Sequence, residues 1–169
     1  MTIKVAKKEI GGLLKAGDHQ VIITEAGIEL SKEQQSWTDR TRQLKVVVKN
    51  KFGQITAWLN LKGYKNISDF PGGIAPKGHE FRSYDESSEK FLVNKATGKR
   101  VESAERTAKL LENVGNLAYS AGIEVEEIEL EDVPSELVDA SCGVRVRENG
   151  RGQLEAHYFM KASEAKVTA

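Results

Sequence analysis

A single cysteine, Cys142, occurs in the 169 residues, which excludes an internal disulfide and fits a reducing, cytoplasmic setting. Long apolar runs are missing as well. No stretch approaches the ~18 residues of a membrane-spanning helix, so no membrane partner is expected. The opening residues, Met-Thr-Ile-Lys-Val-Ala-Lys-Lys-Glu, contain no apolar core of the kind a secretory signal carries, and export is not expected. Histidine is scarce. His19, His79 and His157 lie far apart, and none stands in a metal-ligand spacing such as HxxxH, so no metal site is expected. The glycines Gly72, Gly73 and Gly78 are followed neither by a Lys-Ser/Thr pair nor by the start of a helix, which removes a phosphate loop. Cys142 has no histidine motif nearby and reads as a buried thiol. The carboxylates between 124 and 139 read as a solvated face rather than an acid–base pair. A hydrolase is hard to build from these parts. The expectation is a protein with no catalytic residues and no cofactor.

Net charge is also absent, with 25 basic and 25 acidic residues, but the charges are unevenly placed. Residues 1–100 hold 18 Lys/Arg against 11 Asp/Glu, a balance of +7, whereas residues 101–140 hold 2 against 11, or −9. Residues 141–169 hold 5 against 3, and the window 32–65 alone carries eight basic and two acidic residues. A pI near 6.9 therefore does not argue against an anionic partner, because the local field decides capture. The alternative is that the basic window is a solvated edge.

With 39% apolar and 30% charged residues, the chain suits one globular domain spanning 1–169 rather than a disordered segment. Residues 1–15 read as an N-terminal arm or short first helix. Gly17-Asp18 reads as a turn into a strand through Val21, Ile22 and Ile23 that continues past Gly27, the glycine marking a bulge or bend. Ser31–Thr41 is a polar loop, followed by a hairpin over 43–62. Residues 63–100 form a less regular insertion. Its segment Phe70–Gly78 holds two prolines and three glycines, and Phe91–Val93 with Lys99–Val101 suggests a small hairpin. Ser103 can cap a helix running to about Ala121, stopped by Gly122 and striped with Leu110, Leu111, Val114, Leu117, Ala118 and Ala121. The acidic segment 124–139 contains a short helix opened by Pro134. Two strands near 142–148 and 153–160 close the chain around Asn149–Gly152, leaving a tail over 162–169. Three strands, an insertion, a helix and two strands match a mainly β, five-stranded OB-fold barrel with an insertion after strand 3.

The hairpin carries the most informative residue. In Gln54–Leu61 the side chains alternate, placing Ile55, Ala57, Leu59 and Leu61 on one face and Gln54, Thr56, Trp58 and Asn60 on the other. In Leu44–Lys49 the residues Leu44, Val46 and Val48 point inward, with Lys45, Val47 and Lys49 outside. An indole among lysines, amides and hydroxyls is what a nucleobase and its phosphate require. The nucleic-acid-binding residues expected on this ground are Trp37, Arg40, Arg42, Lys45, Lys49, Lys51, Phe52, Thr56, Trp58, Asn60, Lys62 and Lys65. Tyr64, Phe81 and Tyr84 are weaker candidates, since aromatic residues in an insertion usually form its own core. Arg145 and Arg147 should be exposed opposite Val144 and Val146. The competing reading places Trp58 beneath the insertion or in a subunit contact.

Three pieces of the chain resemble a known family: Ala16-Gly17-Asp18 with Val21–Ala26; Thr56–Leu61; and Ala121-Gly122-Ile123 with Glu136-Leu137-Val138 and the last two strands. Together they resemble OB-fold proteins of bacteriophages and prophages that bind single-stranded DNA in replication or recombination. The resemblance implies single-stranded DNA as partner, with homo-oligomers and replication or recombination proteins as further partners, in a bacterial host cytoplasm. Bacterial replicative binders end in an acidic tail with an aromatic tip; Ser163–Ala169 has no such pattern, so recruitment by that route is not expected. An RNA-directed OB protein and a structural or protein-interaction module are the alternatives.

Overall fold

Fourteen residues, Gly17–Leu30, form the first and longest strand (β1), which continues past Gly27 as the sequence suggests. The computed structural model describes residues 12–85 and 89–166; most of the N-terminal arm (1–11) and the end of the tail (167–169) lie outside the described residues. β2 (Arg42–Asn50) and β3 (Gly53–Asn60) follow, joined by a two-residue tip. The insertion contributes β4 (His79–Ser83) and β5 (Lys90–Asn94). Then come α1 (Ala104–Ser120), α2 (Val133–Leu137), β6 (Ser141–Glu148) and β7 (Leu154–Met160). The protein is mainly β, with a five-stranded antiparallel sheet of order β3-β2-β1-β6-β7 and a two-stranded sheet β4-β5. β3 and β7 stand at the two ends of the larger sheet, which is open rather than closed into the expected barrel. Closure would need those end strands to hydrogen-bond to each other.

Two compact units divide the chain: Met1–Gly27, Lys45–Ala57 and Asn116–Ala169 form the first, and Ile28–Leu44 with Trp58–Gly115 the second. In the first, alternate residues Val21 and Ile23, Val46 and Val48, Ile55 and Ala57, and Val144 and Val146 are buried, as period-two strands with one covered face require. Leu117, Val133, Leu137 and Cys142 complete this core. Val47, placed outside by strict alternation, is also buried at 8% exposure, and its carbonyl accepts a hydrogen bond from the Thr24 hydroxyl at 3.3 Å. That face is therefore partly covered, which a period-two pattern cannot reveal. Pro134 opens α2 from its first turn, and Gly122 follows α1 with φ +84°.

The first unit also holds the closing strands. Asp18 pairs with Arg145 in the β1–β6 register, and Arg145 with Tyr158 in the β6–β7 register. A bulge-like shift lies between Arg145 and Val146. The Arg145 guanidinium binds both carboxylate oxygens of Asp18 at 2.7 and 3.2 Å and lies 4.7 Å from the Tyr158 ring centre. The Lys166 backbone N–H adds a third bond to Asp18. These donors hold the Asp18 carboxyl below its ordinary pKa, the Arg145 bond being the largest cause.

The second unit corrects the reading of the insertion. β5 pairs along its whole length with β4, Phe81 facing Leu92, while the expected partner 99–101 contributes an isolated bridge, Val93 to Arg100. Ser103 does cap α1: its hydroxyl accepts the Arg106 N–H at 3.2 Å. Gly63 lies so close to Arg106 that a side chain there would collide with helix backbone. Leu44, Leu61, Tyr64, Leu92 and Val93 are buried in this unit.

Candidate nucleic-acid interface

The hairpin tip belongs to the first unit. Asn50 shapes it: its side-chain oxygen accepts the Phe52 N–H at 2.8 Å, and its amide donates to the Gln20 carbonyl at 3.1 Å. Phe52 is thereby held outward with 68% of its surface exposed, and the Lys51 ammonium sits 5.0 Å from its ring centre. At the start of β3 the segment around Leu13 is bound alongside, the Leu14 N–H donating to Gln54 and the Gln54 N–H to Gly12. Gly53 makes this approach possible, because a Cβ there would fall 2.5 Å from the Gly12 oxygen. Lys49 and Thr56 are partly exposed. Lys45 pairs with Glu25 at 3.3 Å, the lysine side chain being 25% exposed.

The base of the hairpin belongs to the second unit. Trp58 is 50% exposed in the middle of β3, while Leu61 on the opposite face is buried. Asn60 shares the face of Trp58 by strand alternation, and its side-chain oxygen accepts the Gln43 amide at 2.7 Å. Arg40, Arg42 and Lys65 are exposed, with the Arg40 Nε donating to the Ser31 carbonyl at 2.7 Å. Lys62 forms a salt bridge with Glu102, which pushes the lysine pKa above its ordinary value.

Trp37 is not a stacking platform. It is 7% exposed and meets Phe91 edge-on at 5.5 Å. The reason is Arg100, which the sequence does not single out. Its guanidinium lies 4.3 Å from the Trp37 ring centre and 3.8 Å from that of Tyr64. It is held by Asp39 at 2.9 Å and by the Thr41 hydroxyl at 2.8 Å, and Thr41 in turn bonds the Tyr64 hydroxyl at 3.0 Å. A buried guanidinium is tolerable only when it is paired and hydrogen-bonded, as here. Sequence signals for it are faint, because Arg100 is separated from Trp37 and Asp39 by the whole insertion. Tyr64 is buried with its hydroxyl pKa raised by desolvation, Phe81 packs on Phe70 at 5.7 Å, and Tyr84 is 58% exposed.

Among the expected contact residues, the aromatic ones that are at least half exposed are Trp58 and Phe52. Lys45 and Lys62 are tied to carboxylates. No helix among the described residues is long and apolar enough to cross a membrane. In comparisons with known proteins, the chain matches no family model and no curated protein.

Proposed function

We propose that the protein binds single-stranded DNA with little sequence preference, using the β2–β3 hairpin as its contact surface. The observation that carries this reading is Trp58, half exposed on the outer face of a strand whose other face is core. Stacking one base on an indole in that position is worth about 1–3 kcal/mol. The strand order adds support. With β1, β2, β3, β6 and β7 counted as five, the order 3-2-1-4-5 is that of an OB-fold opened between its third and fifth strands. In that fold the second and third strands carry the ligand. Exposed Lys51, Lys65, Arg40 and Arg42 supply cations for phosphates. In keeping with the resemblance of the sequence, we assign the activity to phage or mobile-element replication or recombination in a bacterial host, alongside other replication or recombination proteins.

A protein-interaction module is the second reading, favoured by the glutamates that occupy Lys45 and Lys62. Titration with fluorescent oligo-dT separates the two. Saturable, salt-sensitive binding that single-stranded RNA and duplex DNA compete for poorly supports the DNA reading. No binding at low salt, together with self-association in sedimentation, would establish the interaction reading.

A further inference from the structure

The amide pair beside Trp58 has unused hydrogen-bonding atoms. Gln43 donates to the Asn60 side-chain oxygen at 2.7 Å across the hairpin. The Gln43 carbonyl oxygen and the Asn60 amide nitrogen form no other hydrogen bond among the described residues. Exchanging O and N of both amides leaves the same outcome: the mutual bond leaves one carbonyl acceptor and one NH₂ donor over. Asn60 is exposed and Gln43 partly so. Asn60 is two residues from Trp58 on the same strand face, a spacing of about 6.6 Å. That spacing puts the amides within reach of a flat ligand held against the indole.

Building on the single-strand reading, we infer that Gln43 and Asn60 form a base-edge site, which hydrogen-bonds the Watson–Crick edge of the nucleobase stacked on Trp58. Every one of the four bases offers a donor next to an acceptor on that edge, so the site tolerates all four and needs no sequence preference. A paired base has that edge occupied by its partner. The site thus selects unpaired bases by chemistry, in addition to the access that stacking requires. The mutual bond between the amides fixes both side chains before the base arrives, which lowers the ordering cost of binding.

The test uses an oligomer in which every thymine is replaced by difluorotoluene, an aromatic ring of the same shape whose edge barely hydrogen-bonds. That ring is more apolar than thymine, so a surface that only stacks should bind it as well or better. The expected result is that the protein binds the isostere about tenfold more weakly than oligo-dT, as one or two lost hydrogen bonds imply. A Gln43→Met/Asn60→Leu double variant should lose this preference and bind both oligomers alike, whereas Trp58→Ala should weaken both. Equal or tighter binding of the isostere by the unaltered protein overturns the base-edge site while leaving the stacking surface intact. This comparison needs no variant to fold. A folded double variant that keeps the thymine preference overturns the assignment to Gln43 and Asn60. Failure of the unaltered protein to bind either oligomer removes the single-strand reading and the base-edge site together.

Discussion

The two tryptophans have opposite surroundings, and they should respond in opposite ways to removal. Trp58→Ala should weaken single-strand binding by about 1–3 kcal/mol with little change in the unfolding midpoint. Trp37→Ala should cost about 3–5 kcal/mol of stability, because it opens a cavity beside Phe91 and strips one face from Arg100. Chemical denaturation and oligo-dT titration of both variants check the pair. An unfolded Trp58→Ala variant would mean that the ring is structural. Period-two alternation made Trp58 legible, since its strand neighbours fix the face. Trp37 lies in a polar loop where no periodicity operates, and its burial depends on an arginine 63 positions away. Asp18 offers a further test at this scale. Its folded pKa is depressed, so its bond to Arg145 stabilises the fold above the ordinary carboxylate pKa. That contribution is lost as the pH falls through the lower folded value. Asp18→Asn should therefore reduce stability at neutral pH and flatten the acid limb of the stability profile, measured by urea unfolding across pH 2 to 7. An unchanged profile would show that the Arg145 bond contributes nothing to folding.

Elements with strong local signals were readable, and those stabilised by distant partners were not. The capped helix at Ser103, the short helix at Pro134 and the closing strands agree with the sequence within a residue or two. β4 leaves almost no trace in the sequence: His-Glu-Phe-Arg-Ser has one large apolar side chain, and all five residues are partly exposed, so there is no alternation to read. Its existence rests on β5, whose two buried residues, Leu92 and Val93, need cover. Val47 shows the same limit from the other side, a strand residue buried on the face expected to be wet. The hairpin start gives a direct test of how one element holds another. Gly53→Ala would drive a methyl into the Gly12 carbonyl. The bound segment must then move or the strand must shift, at a cost of about 1–3 kcal/mol. Faster amide exchange at Leu14 and Gln54, whose N–H groups make the two bonds there, is the expected signature. Unaltered exchange and stability would show that the segment yields freely.

A molecule with 25 positive and 25 negative side chains has no monopole with which to attract DNA, so the proposed binding must draw on local cations. For single strands the slope of log K against log salt is about −0.7 per phosphate neutralised, and three to four contacts give roughly −2 to −3. The window of residues 32–65 holds eight basic residues, but a count of charges in sequence ignores their partners. Lys45 with Glu25 and Lys62 with Glu102 are already neutralised in place. DNA can recruit either lysine only by displacing its glutamate, which cancels much of the Coulomb gain. Removing the glutamate charge should therefore release the lysine for phosphate. Glu102→Gln should raise affinity for oligo-dT at low salt and steepen the slope by about 0.7 if Lys62 then takes one phosphate. The gain should vanish at high salt, where screening shortens the reach of the charge to a few ångströms. Glu25→Gln should do the same through Lys45. Two controls separate this from a general change of net charge. Glu105→Gln, on an exposed part of α1 where its glutamate pairs only loosely with Lys109 at 3.9 Å, removes the same charge and should leave the slope unchanged. Combining Glu102→Gln with Lys62→Met should return the slope to its starting value. A steeper slope that survives the loss of Lys62 would place the phosphate contact elsewhere and remove Lys62 from the track.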